Sequence, residues 1–229
     1  AANYSGSFKV NKLNSIINIV VGDIKVGEEL IVTVNVPSDA TGSVVVTVDG
    51  KEYILNIKEG KATQNISGLK ANNYLIIAKY EGNNKYNSVQ NTTNISVSKI
   101  TDYDMDINVP KEIKSGENVT ISISVPKDAT GKVNVEIDSI NYTATIKNGV
   151  ASVIIMSLSV GTHNFTVTYI GDDKYDRIAK TGTVNVSNNN NVNLNVSDII
   201  MFYHDGTKLK AVLTDYKGNP VANATIYFV

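Results

Sequence analysis

Apolar and polar residues alternate along much of this chain. In residues 30–36 and 119–125 every second residue is apolar, and polar residues such as Thr33 and Ser122 stand between them. Residues 133–137 repeat the pattern with Val, Val and Ile. A period of two is typical of β-strands with one buried face, and no stretch has the period of an amphipathic helix. The pattern predicts an all-β chain.

Turn-forming residues separate the predicted strands. Asp49-Gly50, Glu59-Gly60 and the Gly-Asn-Asn run at 82–84 each follow an alternating segment. Such residues favour tight turns because they tolerate left-handed backbone or bond to it. The spacing predicts about seven strands in each unit, the size and rhythm of an immunoglobulin-like β-sandwich.

The sequence contains an internal repeat. Val-Pro-Ser-Asp-Ala-Thr-Gly at 36–42 returns as Val-Pro-Lys-Asp-Ala-Thr-Gly at 125–131, a shift of 89 positions. The same shift, without a gap, places residues 80–86 (Tyr-Glu-Gly-Asn-Asn-Lys-Tyr) on residues 169–175 (Tyr-Ile-Gly-Asp-Asp-Lys-Tyr). We call these the Pro-Asp motif and the Tyr-Gly motif. Repetition at a fixed period predicts tandem sandwiches, arranged end to end in a rod.

The repeat predicts the division of the chain into domains. Residues 13–100 form the first repeat and residues 101–187 form the second. Residues 1–12 resemble a closing strand and are predicted to end a preceding repeat. Residues 188–229 are predicted to be an Asn-rich linker and the first strands of a truncated third Ig-like domain. The strands predicted there are 198–203, 208–215 and 221–229.

Composition excludes several classes of function. The 21 basic and 22 acidic residues are scattered, so the basic patch of a nucleic-acid-binding protein is absent. The absence of cysteine excludes disulfides, thiolate metal sites and a cysteine nucleophile. No apolar run has the ~20 residues of a membrane-spanning helix. The first residues lack the pattern of a signal peptide, so we expect the chain to be part of a longer protein.

The Tyr-Gly motif, between an apolar strand and a final strand, resembles the bacterial Ig-like domain repeats of adhesin-like surface proteins in bacteria and methanogenic archaea. Residues 212–224 resemble the early strands of an invasin-like Ig domain. The resemblance covers both full repeats. It implies a non-catalytic stalk or spacer that is extracellular, at the cell surface or in the cell wall. The implied partners are other repeats of the same polypeptide and surface components of host or neighbouring cells, including glycans; no cofactor is implied.

Two other functions stay open at this point. One is a module that binds carbohydrate or another ligand through exposed aromatic residues such as Tyr86 and Tyr175. Their identical placement in both repeats favours a structural role, because a binding site seldom recurs in every spacer. The other is an accessory domain of a larger surface enzyme.

Residues of catalytic type are few. The two histidines, His163 and His204, have no repeated serine or carboxylate partner, and no nucleophile-elbow, P-loop or zinc-protease motif occurs. Tyr74 stands where a tyrosine corner would bond back to the backbone, and His163 occupies the equivalent position in the second repeat. The sequence therefore predicts no catalytic residue.

The sequence contains candidates for two kinds of binding or modification site. Asp102, Asp104 and Asp106 alternate, so a strand would place all three on one face as weak calcium ligands, although we predict no tight site. Asn-x-Ser/Thr triplets whose asparagines are predicted to face outward are candidates for N-glycosylation. The candidate asparagines are Asn65, Asn94, Asn118, Asn164 and Asn185.

The strands predicted at the two ends have incomplete sheets. Unpaired strands with one apolar face are not stable alone in water. We therefore expect the end segments to pair with other strands, and the fragment to self-associate through them.

Overall fold

The computed structural model describes residues 5–196, 204, 206 and 210–227. The strand predicted at 198–203 and the start of the strand predicted at 208–215 lie outside these residues. The described residues form β-strands, turns and loops and contain no helix, and hence none that could cross a membrane. The chain divides into two compact units. The all-β prediction is confirmed.

The first unit contains residues up to Asp104 together with Asp128–Gly131 and Ile170–Ile178. Its strands form a three-stranded sheet in the order β1-β3-β6 and a five-stranded sheet in the order β2-β8-β7-β4-β5. The strands are β1 (Asn18–Val20), β2 (Ile24–Lys25), β3 (Leu30–Asn35), β4 (Ser43–Val48), β5 (Lys51–Asn56), β6 (Lys61–Ile66), β7 (Asn72–Tyr80) and β8 (Val89–Ser98).

The alternation in the sequence builds the core of this first sandwich. In β7 the residues that alternate inward are buried, which confirms the apolar strand expected before the Tyr-Gly motif. The two sheets face each other with fully buried residues, among them Leu30 and Val32 of β3 in one sheet and Val44 of β4 in the other. Burying this apolar surface is the main favourable contribution to folding.

The strands of the second sandwich lie in the second unit, except for Ile178, which belongs to the first. It repeats the topology, with a five-stranded sheet in the order β10-β16-β15-β12-β13 and a three-stranded sheet in the order β14-β11-β9. The strands are β9 (Asp106–Asn108), β10 (Ile113–Lys114), β11 (Val119–Ser124), β12 (Lys132–Ile137), β13 (Ile140–Thr145), β14 (Val150–Ile155), β15 (Gly161–Tyr169) and β16 (Ile178–Ser187).

The ends of the chain differ from the sequence prediction. Residues 5–12 form no strand, and Phe8 and Val10 are exposed. Residues 192–196, for which the sequence predicts no strand, form β17 (Val192–Val196), which pairs antiparallel with β18 (Ala211–Asp215). The strand predicted at 221–229 does not form over 221–227, because the chain turns at residues 222–223. The domain boundaries themselves stay a prediction.

Candidate functional site

The two repeated motifs come together at one end of the first sandwich. The Pro-Asp motif is the turn between β3 and β4, and the Tyr-Gly motif is the loop between β7 and β8. The Tyr86 hydroxyl donates to Asp39 Oδ1 over 2.6 Å, and Lys85 Nζ donates to Asp39 Oδ2. We call this arrangement the Asp-Lys-Tyr cluster.

The second copy of the motifs forms the same cluster, and its three residues, Asp128, Lys174 and Tyr175, all belong to the first unit. The Tyr175 hydroxyl donates to Asp128 Oδ1 over 2.7 Å. Lys174 Nζ donates to Asp128 Oδ2 over 2.6 Å. Identical contacts at equivalent positions explain why the two motifs recur together in the sequence.

The hydrogen bonds of the cluster stabilise the ordinary charge states of its three side chains. The bond from Lys85, and then that from Tyr86, holds the pKa of Asp39 below its usual value, and the same carboxylate raises the pKa of Lys85. The Asp39 carboxylate also raises the pKa of Tyr86. All three groups therefore keep their ordinary charge states at neutral pH, and none is poised to transfer a proton.

An Asx side chain organises the loop of each Tyr-Gly motif. Asn83 Oδ1 accepts bonds from the backbone N–H groups of Lys85 and Tyr86, both 2.8 Å long. Asp172 does the same for Lys174 and Tyr175, and its second oxygen accepts from the backbone N–H of Thr130. These local bonds are typical of Asx turns. Asp172 therefore forms the same turn in the second repeat as Asn83 forms in the first.

Each Tyr-Gly loop also holds the chain segment that leads into its sandwich. Leu13 N–H donates to the Lys85 carbonyl over 2.8 Å, and its own carbonyl accepts from Asn87 N–H over 2.9 Å. Ile100 makes the equivalent two bonds with Lys174 and Asp176, each 2.9 Å long. The resulting parallel bridges join Leu13 to Tyr86 and Ile100 to Tyr175. Each Tyr-Gly loop thus binds the backbone that enters its sandwich through the same pair of hydrogen bonds. We call this backbone contact, at Leu13 in the first repeat and at Ile100 in the second, the seat for the entering chain.

The ligand-binding alternative required Tyr86 and Tyr175 to be exposed, but both are buried, in agreement with the structural role that their repetition favours. Only 8% of Tyr86 and 6% of Tyr175 is accessible to solvent. Both hydroxyls are bonded to aspartate, and the rings of Tyr103 and Tyr175 pack in a T-shaped arrangement with centroids 5.1 Å apart. Rings packed in this way offer no open face on which a sugar could stack. Tyrosine combines an apolar ring with a polar tip, so composition alone could not distinguish the two environments.

The tyrosine corner is confirmed in the first sandwich, and a histidine replaces it in the second. The Tyr74 hydroxyl donates to the Lys70 carbonyl over 3.0 Å. At the equivalent position, His163 Nε2 lies 2.9 Å from the Ser159 carbonyl oxygen, and its Nδ1 lies 2.6 Å from Asp138 Oδ2. Both corners reach back four residues. The second corner is therefore intact, with the imidazole of His163 in place of the phenol of a tyrosine.

This substitution predicts a pH dependence that belongs to the second sandwich alone. The Ser159 carbonyl, and to a smaller extent the Asp138 carboxylate, raises the pKa of the buried His163 against the opposing effect of desolvation. The folded state therefore binds the proton more tightly than the unfolded state, whose pKa is about 6.5. The stabilisation is complete below pH ~6.5 and is lost as pH rises through the folded pKa.

We expect the denaturant midpoint of the second sandwich to fall between pH ~6 and pH ~8.5, and this fall to disappear in His163→Tyr. The two ring nitrogens of His163 contact Asp138 Oδ2 and the Ser159 carbonyl oxygen. Urea unfolding followed by circular dichroism at the two pH values measures the effect. A slope that persists unchanged in the variant would assign the effect to another group.

The three aspartates considered for calcium do not share one strand. Only Asp106 lies in a strand, at the start of β9, so the expected alternation on one face does not occur. Lys25 Nζ bonds Asp102 over 2.7 Å and lowers its pKa. Within the described ranges, no three His, Cys, Asp or Glu side chains come together as they would around a metal ion.

The candidate glycosylation residues all have exposed side chains. Asn65 Nδ2 donates to Glu29 over 3.2 Å, and Asn185 Oδ1 accepts from the Thr162 hydroxyl over 2.7 Å. Four of the candidate asparagines lie in strands and Asn118 immediately precedes one, so their outward direction follows from the period of two.

The other histidine of the sequence, His204, lies exposed in a turn.

The fold defines a protein built of immunoglobulin-like sandwiches, and comparison with known families agrees. Residues 107–187, which include most of the second repeat, match the family described as bacterial Ig-like domain, group 3. The predicted resemblance is confirmed for this segment. Domains of this family are in general non-catalytic structural modules and typically occur in extracellular or surface proteins. No curated protein sequence matches the chain.

Solved structures with similar folds include modules from very different proteins. The fibronectin(III)-like modules of Clostridium thermocellum CbhA match with a TM-score of 0.34 and 15% identity, over 76% of this chain and 95% of that one. The titin domains z1z2, solved in complex with telethonin, match with a TM-score of 0.41 and 12% identity, over 78% of this chain and 99% of that one. Neither likeness bears on function.

Proposed function

We propose that the chain is a stalk or spacer segment of a surface-displayed, adhesin-like protein. The observation that carries this proposal is the recurrence of the Asp-Lys-Tyr cluster with its seat for the entering chain. A tandem array needs every module to receive the preceding segment in the same way. A ligand site has no such requirement.

The chemistry of the cluster supports a structural role over ligand binding. The Asp39 carboxylate is bonded to Lys85 and Tyr86, and the tyrosine ring is buried. These polar groups are therefore engaged with one another, whereas a binding site presents converging polar groups to its ligand. The match of residues 107–187 to a family of structural modules agrees with this function.

Two measurements test the proposal. Antibodies against this chain are expected to label intact cells of the organism that produces it, and brief protease treatment of those cells should remove the signal. Labelling only after permeabilisation would contradict a surface location. The purified chain is also expected not to bind immobilised glycans or host-cell surfaces, because a spacer carries the adhesive part without contacting the target. Saturable glycan binding would favour the carbohydrate-binding function instead.

We also propose that the exposed asparagines carry N-linked glycans in the native host. Their outward direction would let a glycan extend into solvent without disturbing the core. Intact-mass analysis of protein purified from the host is expected to give masses above that of the polypeptide. Asn94→Gln and Asn118→Gln should each remove one glycan mass. A single species at the mass of the bare polypeptide would refute this second proposal.

A further inference from the structure

Strand β14 forms one edge of the three-stranded sheet in the second sandwich. It pairs with β11 along its whole length, from Val150 opposite Ser124 to Ile155 opposite Val119. Within the part of the chain that the structure describes, no strand pairs with the other edge of β14, which makes only the turn bridge from Val150 to Lys147. An edge of this kind offers a row of backbone donors and acceptors to another strand.

The outward side chains of β14 and its extension are apolar. Val150, Ile154 and Met156 are 50%, 58% and 76% exposed, and Ser152 lies between the first two. The sequence has no charged residue from 148 to 162. Edge strands in monomeric proteins usually carry charges that discourage pairing, and this one does not.

The equivalent edge of the first sandwich has the opposite character. Strand β6 carries Lys61, Thr63 and Asn65 at the positions of Val150, Ser152 and Ile154. These three side chains are exposed, and Asn65 bonds the Glu29 carboxylate. The two repeats share a fold and a topology, and at this edge they differ in the outward residues. The fold does not require the apolar stripe of β14.

The stripe is complementary to itself. When two β14 strands lie antiparallel with Ser152 opposite Ser152, Val150 of each copy lies directly opposite Ile154 of the other. Two branched apolar side chains in direct cross-strand contact stabilise an antiparallel pair. A two-fold axis through Ser152 makes both such contacts at once and joins two three-stranded sheets into one.

We propose that β14 is a docking edge for a second copy of this chain, paired antiparallel about Ser152. The uncharged segment has no group that would select a charged partner, while its pattern matches its own reverse. The resulting contact would join chains laterally through the second repeat and leave the first repeat free.

Cysteine cross-linking tests the register directly, since the chain has no cysteine of its own. Residues opposite each other in an antiparallel pair have Cα atoms about 4.5–5.5 Å apart, within the range that a disulfide spans. We expect Ser152→Cys to form disulfide-linked dimers under mild oxidation at least tenfold faster than Thr63→Cys. Thr63 is the matched control because it is the equivalent exposed residue of β6.

Sedimentation of the full chain provides the second measurement. The unmodified chain is expected to dimerise, and Ile154→Lys is expected to weaken dimerisation at least tenfold, because it places two lysines against apolar residues. The milder Ile154→Thr should weaken it less, and circular dichroism confirms that both variants remain folded. Lys61→Glu, which changes the equivalent edge of the first sandwich, should have no effect.

Two results would overturn the proposal. One is equal cross-linking of Ser152→Cys and Thr63→Cys. The other is dimerisation that survives Ile154→Lys but is lost in Leu194→Lys, whose substitution lies in β17. The second result would assign self-association to the strands at the end of the chain, as the sequence predicts.

Discussion

Gly182→Thr is expected to lower the free energy of unfolding of the second sandwich by about 1–3 kcal/mol, the usual cost of overpacking a core. A Cβ at residue 182 would lie 2.4 Å from Cζ of Phe165 and 2.9 Å from Cε2. The Phe165 ring is buried, so a side chain at residue 182 overlaps it unless the ring leaves its packed position. The glycine is required here for space and not for its backbone conformation.

The first sandwich supplies the matched control for this prediction. At the equivalent positions it has Ile76 and Thr93, which lie directly opposite each other on β7 and β8. One repeat thus combines a large ring with no side chain, and the other combines two of intermediate size. We expect Phe165→Ile in the Gly182→Thr background to recover most of the lost stability, since the double variant reproduces a pair that the fold already accommodates.

A double-mutant cycle measures this coupling. Phe165→Ile alone should destabilise the second sandwich by about 1 kcal/mol, through the space that the ring leaves. The coupling energy of the pair is then expected to exceed about 1 kcal/mol, within the range for residues in contact. Amide hydrogen exchange in β15 and β16 localises the effect to the second sandwich. Additive effects of the two substitutions would contradict the proposed compensation.

The period-two alternation predicts the long strands of the two sandwiches, because each of them buries one face. The turn residues and the 89-residue shift likewise predicted a repeated loop pair. The sequence could also have predicted the corner at His163, since the shift places it on Tyr74 and imidazole can reach the same carbonyl. Its second partner, Asp138, lies 25 residues away and depends on the turn between β12 and β13.

Other features depend on contacts that alternation does not encode. Asp39 and Tyr86 are separated by 47 positions, and only the packing of two loops makes one the partner of the other. Strand β17 was missed because its alternating residues are asparagines, which are typical of linkers. The docking edge of β14 depends on which strand ends the sheet. Alternation predicts the faces of a strand but not its neighbours.

Gly82→Ala is expected to destabilise the first sandwich by about 2–4 kcal/mol, the sum of backbone strain and steric overlap. Gly82 has a φ of +81°, a conformation in which alanine is strained. A Cβ there would also lie 2.5 Å from the Tyr86 carbonyl oxygen and 2.9 Å from the Ser88 amide nitrogen. These neighbours are backbone atoms of the loop that carries Tyr86. They cannot rotate away as a side chain could, so the loop must open and withdraw Tyr86 from Asp39.

Gly50→Ala is the control that separates strain from overlap. Gly50 has a similar φ of +72°, but nothing lies within 4 Å of where its Cβ would be. Gly50→Ala should therefore lower the free energy of unfolding only by the cost of placing alanine in a left-handed backbone conformation, about 1–2 kcal/mol. Gly171→Ala in the second copy of the motif should behave like Gly82→Ala, because its Cβ would lie 2.9 Å from the Tyr175 carbonyl oxygen. Urea unfolding of the three variants, followed by tyrosine fluorescence, measures the difference. Equal losses for Gly82→Ala and Gly50→Ala would mean that the loop yields freely, and that the seat for the entering chain is not held by close backbone packing.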